Sequence, residues 1–122
     1  MFIVETDTTK RFVVISAAGQ VAADEVRDAS GRIREVLGAV APGFVALIDF
    51  RWLESMATAS APFIAEIMDA LSAKKVSAVV RVVPDPHKDI GLKILSQFHY
   101  GPEIKVRTFE TLADAVQSLA GA

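Results

Sequence analysis

The sequence contains no cysteine, and only two of its 122 residues are histidine. Without cysteine the chain can form neither a disulfide nor a zinc–thiolate site, and it lacks a thiolate nucleophile. His87 and His99 stand twelve positions apart, so they cannot form the HxxxH or HExxH pair that binds a metal ion from one helix. We therefore predict no metal site.

The common sequence signatures of enzymes are also missing. The chain has no glycine-rich phosphate loop, no GxSxG elbow and no close pair of carboxylates on one helical face. We predict a protein that is not an enzyme, with no catalytic residues and no cofactor. An enzyme that uses Asp49, Glu54 and one histidine stays open as a weaker alternative.

Neither sign of charge dominates, and no long apolar run occurs. Lysine and arginine total 13, aspartate and glutamate total 15, and the formal net charge is −2. Because nucleic-acid binders normally carry a basic face, we predict no nucleic-acid partner. The longest uncharged stretch, 36–48, is interrupted by two glycines and a proline, which argues against a membrane span. The first residues lack the basic and apolar regions of a signal peptide, so we expect a cytoplasmic protein.

The chain does have enough apolar material for one core. Hydrophobic residues make up 52% of it and charged residues 23%, a composition that excludes intrinsic disorder. Its length suits one domain and is too short for two independent cores. We predict a single domain that spans residues 1–122.

β-rich runs alternate with amphipathic helical patterns along the chain. Strands are predicted at 2–6, 11–17, 44–50, 76–83 and 104–108. Helices are predicted around Val26, Ile33 and Val40, and at 62–73, 87–98 and 110–119. The order ββαβαβαβα indicates an α/β fold with a mostly parallel central sheet, an initial antiparallel hairpin and helices packed on the sheet.

Two packing predictions follow from single segments. The run 44–50 is almost continuously apolar, so we predict an interior strand whose side chains are buried on both faces. Gly31 lies in the middle of the first helix, where glycine costs about 1 kcal/mol relative to alanine. We expect it to allow close packing of that helix on the sheet.

The loop predicted between the third strand and the second helix lies at the sheet edge where open α/β proteins bind ligands and partners. Trp52, the only tryptophan, is either a lid over the core edge or an exposed interface anchor. Asp49 ends the strand and is expected to accept hydrogen bonds from loop amides. Thr58 or Ser60 is expected to cap the helix with a hydroxyl that accepts an amide hydrogen. A phosphate on either would lie near Asp49 and Glu54 and be repelled by them.

Three stretches carry a resemblance to a known family. Gly19-Gln20-Val21 precedes the first helix, the segment LIDF at 47–50 ends a strand with an aspartate, and TFETLADAVQSL at 108–119 closes the chain. With the element order, these stretches resemble the STAS domain, the fold of bacterial anti-sigma-factor antagonists. The resemblance implies a bacterial signalling module whose partner is an anti-sigma factor with kinase activity or a comparable signalling protein.

In the regulated members of that family, a partner kinase phosphorylates the second serine of the motif Asp-Ser-Ser-Gly-Leu. An ungapped comparison from Asp49 places residues 57–61 (ATASA) on this motif, so Ala59 stands at the phosphoacceptor position. The acceptor hydroxyl is absent there, and we predict that the usual phospho-switch is missing. A shift of one residue would let Thr58 or Ser60 serve instead.

The prediction is therefore a regulatory module that binds a protein partner. The residues assigned to partner binding or regulation are Asp49, Trp52, Glu54, Thr58 and Ser60. The alternative is a module for a small apolar ligand or lipid, as in the related CRAL-TRIO carriers, with a pocket lined by the helices at 62–73 and 87–98. A cavity of a few hundred Å³ between helices and sheet would favour that alternative. The sequence also leaves a homodimer open.

Overall fold

A computed structural model of the chain describes residues 1–7, 9–85 and 99–120. The strands are β1 (Phe2–Thr6), β2 (Phe12–Val21), β3 (Val45–Met56), β4 (Ala78–Val82) and β5 (Lys105–Phe109). The helices are α1 (Ala23–Leu37), α2 (Ala61–Ala73) and α3 (Leu112–Ala120), and a 3-10 turn (Thr58–Ser60) precedes α2. The helix predicted at 87–98, which includes His87, lies outside the described residues.

The strands form one mixed sheet in the order β1-β2-β3-β4-β5. β1 runs antiparallel to β2, and every other neighbouring pair is parallel. The hairpin turn is held by Asp7, whose carboxylate accepts hydrogen bonds from the amides of Arg11 and Phe12. The predicted α/β fold, with its initial hairpin and largely parallel sheet, is confirmed.

The main core lies between one face of the sheet and the helices α1 and α2. α1 begins where the Glu25 carboxylate accepts the amide hydrogen of Ala22. Buried side chains from both helices meet the sheet, and they include Val26, Ile33, Ile64, Ile67 and Leu71. None of the helices in the described ranges is long and apolar enough to cross a membrane.

Gly31 does not have the predicted role. It is exposed, and a Cβ atom built on it would have no neighbour within 4 Å. The prediction of close packing on the sheet is wrong because the buried face of α1 is formed by residues such as Val26, Ala29 and Ile33. Gly31 instead borders an open cleft between α1 and α2.

β3 occupies the predicted interior position, but its two faces differ in burial. Ala46, Ile48 and Phe50 are buried in the main core. Val45 and Leu47, on the other face, are only partly buried and pack against a smaller cluster that includes Val80, Val82 and Ala115. The prediction of full burial on both faces is wrong because, within the described part of the chain, the short α3 covers only part of that second face.

Candidate partner-binding surface

The segment predicted as a loop after Phe50 is for the most part a strand. β4 pairs with β3 only as far as Val82 opposite Asp49, whereas β3 continues to Met56 and pairs with β2 as far as Val21. Residues 17–21 of β2 and 50–56 of β3 therefore form a two-stranded extension of the sheet, which we call the projecting ribbon. It lies at the carboxyl end of the parallel strands, where open α/β folds meet their ligands.

The projecting ribbon is irregular. The register between β2 and β3 shifts twice, between Ser16 and Ala18 and again between Gly19 and Gln20. Such bulges leave extra residues on one strand, bend it and increase its twist. Gly19 has a φ of +69°, a left-handed conformation that glycine adopts without a steric penalty.

Trp52 is the most exposed large hydrophobic side chain of the ribbon, with 68% of its surface accessible. Leu53 and Met56 turn the other way and pack, partly buried, against the main core. Trp52 is therefore not a lid over the core edge, and of the two predicted roles only the exposed anchor fits its position. Glu54 lies beside it and is also exposed.

Asp49 is held by Arg51, its neighbour two positions along the strand. The Arg51 Nε and Nη2 atoms donate to the carboxylate at 3.0 and 2.9 Å, and the Arg51 amide donates to Oδ1 at 3.1 Å. These hydrogen bonds stabilise the charged carboxylate, so the Arg51 guanidinium lowers the pKa of Asp49. The predicted hydrogen bond from a following amide is confirmed, but it comes from the strand and is joined by an ion pair.

Arg51 also connects Asp49 to the exposed tryptophan. Its guanidinium carbon lies 5.6 Å from the centre of the Trp52 ring, within the range of a cation–π interaction. Sequence reasoning missed Arg51, although the spacing of two residues between it and Asp49 puts both side chains on one face if the segment is a strand. The loop assignment hid that signal.

The 3-10 turn before α2 does not use its hydroxyls as predicted. Ser60 is the N-cap residue but is only 2% exposed, and its hydroxyl donates to the Ala57 carbonyl instead of accepting an amide hydrogen. The predicted cap is wrong because the turn already satisfies the first amides. Ser60 and Ala61 donate to the Ala57 and Thr58 carbonyls, and Pro62 has no N–H. Thr58 is exposed.

The predicted site residues fall into two groups. Asp49 pairs in register with Ser16 and Met56 with Val21, a separation of five residues along β2. Five strand residues span about 16 Å, so Asp49 lies well away from the turn that contains Thr58 and Ser60. The predicted closeness of Asp49 to a phosphate on that turn is therefore wrong, since the intervening residues are extended rather than looped.

Two of the cavities that the described residues form lie beside α2. A cleft of about 840 Å³ lies between α1 and α2 and is crossed by a hydrogen bond of 2.6 Å from the Ser30 hydroxyl to Glu66. Next to it, His99 Nδ1 lies 2.7 Å from Asp69 Oδ1, which ties the chain beyond residue 98 to α2. Between α2 and the sheet, a cavity of about 20 Å³ is lined by apolar side chains, Arg81 and Tyr100. Burial raises the pKa of Tyr100.

The cavity between α2 and the sheet is too small for an apolar ligand, whereas the predicted pocket would also be lined by residues 87–98, which lie outside the described ranges. About 20 Å³ is room for roughly one water molecule. A pocket for an apolar ligand needs roughly 300–1,000 Å³. Residues 1–7, 9–85 and 99–120 also bring together no cluster of three acidic or histidine side chains that could hold a metal ion.

Comparison by sequence identifies no relative. No protein-family model matches the chain, and a search of curated proteins finds no match. Solved structures, in contrast, share the whole fold. The chain is similar to the anti-sigma factor antagonist SpoIIAA in its unphosphorylated form, with a TM-score of 0.68 and 21% identity over 100% of both chains.

Two further structures support this likeness. A SpoIIAA-like protein of the DUF3478 family from Shewanella loihica PV-4 gives a TM-score of 0.68 at 16% identity, over 98% of this chain and 92% of that one. An anti-sigma factor antagonist from Mycobacterium paratuberculosis gives 0.59 at 20% identity, over 98% and 93%. The chain therefore has the STAS-type fold of SpoIIAA, as the sequence resemblance predicted.

Proposed function

We propose that the chain is a non-enzymatic regulatory module of the bacterial cytoplasm that binds a protein partner through the projecting ribbon. The observation that carries the proposal is the exposure of Trp52. This residue is 68% exposed and lies on the part of β3 that extends beyond its last pairing with β4. Tryptophan and arginine are the residues that most often dominate the energy of a protein interface. Here the two are adjacent and in contact.

The arrangement around Trp52 suits an anchor that is ordered before binding. Arg51 is fixed on one side by two hydrogen bonds to Asp49 and stacks on the indole with the other. Less side-chain entropy is then lost when a partner covers the ring. Glu54 is exposed beside Trp52 and supplies a polar group for the rim of an interface.

The structural neighbours suggest what kind of partner to test first. SpoIIAA and the mycobacterial protein are anti-sigma factor antagonists, and SpoIIAA has been solved in both phosphorylated and unphosphorylated forms. We expect an anti-sigma factor or a comparable signalling protein as the partner of this chain. The small cavity between α2 and the sheet gives no support to the alternative of an apolar ligand.

The control of binding is expected to differ from a serine phospho-switch. Ala59 has no hydroxyl, and Ser60 is buried with its hydroxyl bound to the Ala57 carbonyl. Thr58 is the remaining exposed hydroxyl on the turn, about 16 Å or more along the ribbon from Asp49. We therefore propose that the module is competent to bind without phosphorylation.

The binding proposal is tested with Trp52→Ala. The native chain and the variant are used to capture proteins from an extract of the native cells, and each captured candidate is purified and titrated by calorimetry. We expect the direct partner to lose at least about tenfold in affinity, since an anchor residue contributes 2 kcal/mol or more. Val116→Ala is the matched control, because Val116 is also an exposed apolar side chain but lies on α3.

A separate experiment tests the absence of a phospho-switch. The protein is incubated with ATP and the same extract, and modified residues are mapped by mass spectrometry. We expect no stoichiometric phosphate on Thr58 or Ser60, and unchanged partner affinity for Thr58→Glu. Stoichiometric phosphate on Thr58, together with lost binding by Thr58→Glu, would restore the usual antagonist cycle.

A further inference from the structure

The two faces of the sheet are covered unequally. The helices α1 and α2 pack on one face, and within the described ranges α3 is the one helix on the other, which we call the second face. α3 contacts β4 and β5, and the cluster beneath it extends as far as Val45 and Leu47 of β3. The part of the second face that β1 and β2 form is therefore its uncovered half.

The uncovered half is largely apolar. Ile3 is 39% exposed on β1. Phe12 and Val14 on β2 are partly buried, and among the described residues they belong neither to the main core nor to the smaller cluster under α3. Apolar side chains gathered on one exposed surface are typical of an interaction site.

The described chain resumes after residue 85 on the opposite side of the sheet. His99 lies against Asp69 of α2, and Tyr100 is buried in the main core. Both contacts belong to the face that α1 and α2 cover. The inference below uses only Ile3, Val116 and the charged residues of the second face.

The sheet is wide enough for a second helix beside α3. Its five strands, at a spacing of about 4.8 Å, are about 19 Å across. Packed helices lie about 8–10 Å apart, so two helices fit side by side on such a sheet, one over each half. α3 takes one of these positions, over β4 and β5, and no helix in the described part of the chain takes the other.

The flank of α3 that borders the uncovered half is apolar and exposed. Ala115 is buried against the sheet, whereas Val116 is 50% exposed. Ala113 and Ala120 are also exposed, and their spacing of three and four residues from Val116 puts them on the same flank. A right-handed helix that returns along the sheet after β5 turns this flank toward β3 and β2. Val116 is therefore placed to contact a second helix over the uncovered half.

A second copy of the chain supplies such a helix when the two second faces meet about a two-fold axis parallel to the strands. This axis places α3 of each copy over the uncovered half of the other, where it covers Ile3 and Val14. It brings the two Val116 side chains together between the helices. It also sets the β1 edge of one copy over the β5 edge of the other, at the same level along the strands.

The charges of the two edges fit this arrangement. The register passes across the sheet from Glu5 to Arg107 through the partners Val14, Leu47 and Val80. Glu5 and Arg107 therefore lie on the second face at the same level of opposite edges, and the axis sets Glu5 of each copy over Arg107 of the other. Lys105 is exposed on the same edge as Arg107 and adds a second positive charge. Unlike charges that face each other in this way favour one orientation of the two copies.

We infer that two copies of the chain associate face to face, each placing α3 on the uncovered half of the other's second face. α3 has nine residues and is about 14 Å long, so the contact measures about 19 Å by 14 Å. That is smaller than a standard interface, which buries roughly 800 Å² per partner. We therefore expect a weak dimer with a dissociation constant on the order of 100 µM.

This association goes beyond the proposed function. Its test uses the purified chain alone, so its failure would leave the partner proposal unaffected. At concentrations of a few micromolar, far below the expected dissociation constant, the chain is monomeric, and Val116→Ala remains a control for Trp52→Ala there.

The experiment is analytical ultracentrifugation of the purified full chain at concentrations from about 5 µM to about 1 mM, a range that brackets the expected dissociation constant. We expect the average mass to rise from 13.1 kDa toward twice that value. A chain that stays monomeric at the highest concentration would overturn the inference.

Charges introduced at Val116 test the contact between the two helices. Val116→Glu and Val116→Lys each place like charges together at the two-fold axis, and we expect each variant alone to dimerise at least about tenfold more weakly. An equimolar mixture of the two variants should recover association, because the charges at the axis are then unlike. Ala73→Glu is the matched control, since Ala73 is an exposed helical residue at the end of α2, on the other side of the sheet.

Charge exchange at the edges tests the direction of the axis. Arg107→Glu sets like charges over each other at both symmetric positions, and so does Glu5→Arg, so each should weaken the dimer by about threefold or more. A mixture of these two variants should recover native affinity. The loss in each variant should shrink at about 1 M salt, where the Debye length is about 3 Å.

The control for folding is a denaturant melt of each variant. Arg107 has an exposed side chain, so the edge variants keep the test decisive if a Val116 variant does not fold. A native dimer that Val116→Glu leaves intact, or that Ala73→Glu weakens equally, would overturn the inference by showing that the contact lies elsewhere on the molecule.

Discussion

Asp49 and Arg51 form a self-contained unit on one strand. The Asp49 side chain is 16% exposed and that of Arg51 is 34% exposed, so the pair is only partly screened by solvent. Arg51 donates to the Asp49 carboxylate through its guanidinium and its amide, and these hydrogen bonds stabilise the ionised form of the carboxylate in the folded protein. The pair fixes the side chain that contacts Trp52.

Asp49→Asn should reduce the free energy of unfolding by about 1 kcal/mol at pH 7, because the charged acceptor is lost. The folded-state pKa of Asp49 lies below its unfolded value, so its contribution is complete above about pH 5 and is lost as the pH falls through the folded value. Urea melts should therefore show a larger difference between the two proteins at pH 7 than at pH 3. Asp28→Asn is the control, since Asp28 is 69% exposed and meets Arg27 at 3.7 Å. An equal loss in both variants would contradict a specific role for the pair.

At the scale of single elements, glycine has opposite roles in β2 and α1. Gly19 has a φ of +69°, which other residues adopt only with strain, whereas Gly31 lies in an exposed helical position with open space around it. Gly19→Ala should destabilise the protein by about 1–2 kcal/mol, the cost of the left-handed conformation. Gly31→Ala should stabilise it by up to about 1 kcal/mol through higher helix propensity. Melts in which Gly31→Ala is the more harmful change would contradict these assignments.

The core face of α2 gives a second prediction at this scale. Ile67 is 3% exposed, whereas Phe63 is half-buried at the margin of the core. Ile67→Ala should cost about 2–5 kcal/mol of unfolding free energy, and Phe63→Ala should cost less although it removes more atoms. Denaturant melts of the two variants measure this order. A cost under 1 kcal/mol for Ile67→Ala would mean that this face of α2 is not packed.

An element can be predicted from the sequence when its apolar residues recur at the spacing of one buried face. The spacing of Ile64, Ile67, Met68 and Leu71 fits a helix with one apolar side, and α2 agrees with its prediction within one residue at its start. The extension of β3 was missed because Arg51, Trp52 and Glu54 face solvent and the bulges break the alternation of a regular strand. The predicted second strand ends at residue 17, although β2 continues through Gly19 and its register shift to Val21.

The sequence predicts where the candidate residues lie along the fold better than it predicts their contacts. The sequence makes Trp52 a candidate because it is the only tryptophan and follows a predicted strand, but the choice between a lid and an exposed anchor depends on the register of two strands. The roles of Thr58 and Ser60 depend on a 3-10 turn that no simple spacing indicates. Arg51 could have been found only if residues 51–56 had been recognised as extended.

At the scale of the whole molecule, the interior is where the two functional hypotheses make different predictions. The side chains Ile64, Ile67 and Met68 fill the space between α2 and the sheet, and the described residues leave about 20 Å³ there. The larger cleft between α1 and α2 is open and crossed by the Ser30–Glu66 hydrogen bond. An enclosed pocket buries more of the surface of an apolar ligand than such an open cleft does. Within the described residues, neither space is an enclosed pocket of the size that an apolar ligand needs, and the helix predicted at 87–98 lies outside them.

Palmitate and benzene should therefore leave the melting temperature of the native chain unchanged. A ligand present at 100 times its dissociation constant stabilises the folded state by about 2.7 kcal/mol, which scanning calorimetry detects as a shift of several degrees. Met68→Ala is the positive control: Met68 lines the small cavity, and its truncation should create room for benzene, which should raise the melting temperature of the variant only. A shift of several degrees for the native chain with palmitate would favour the apolar-ligand alternative, because binding of that strength needs an enclosed pocket. Trp52→Ala should not alter either result, since Trp52 lies outside this cavity.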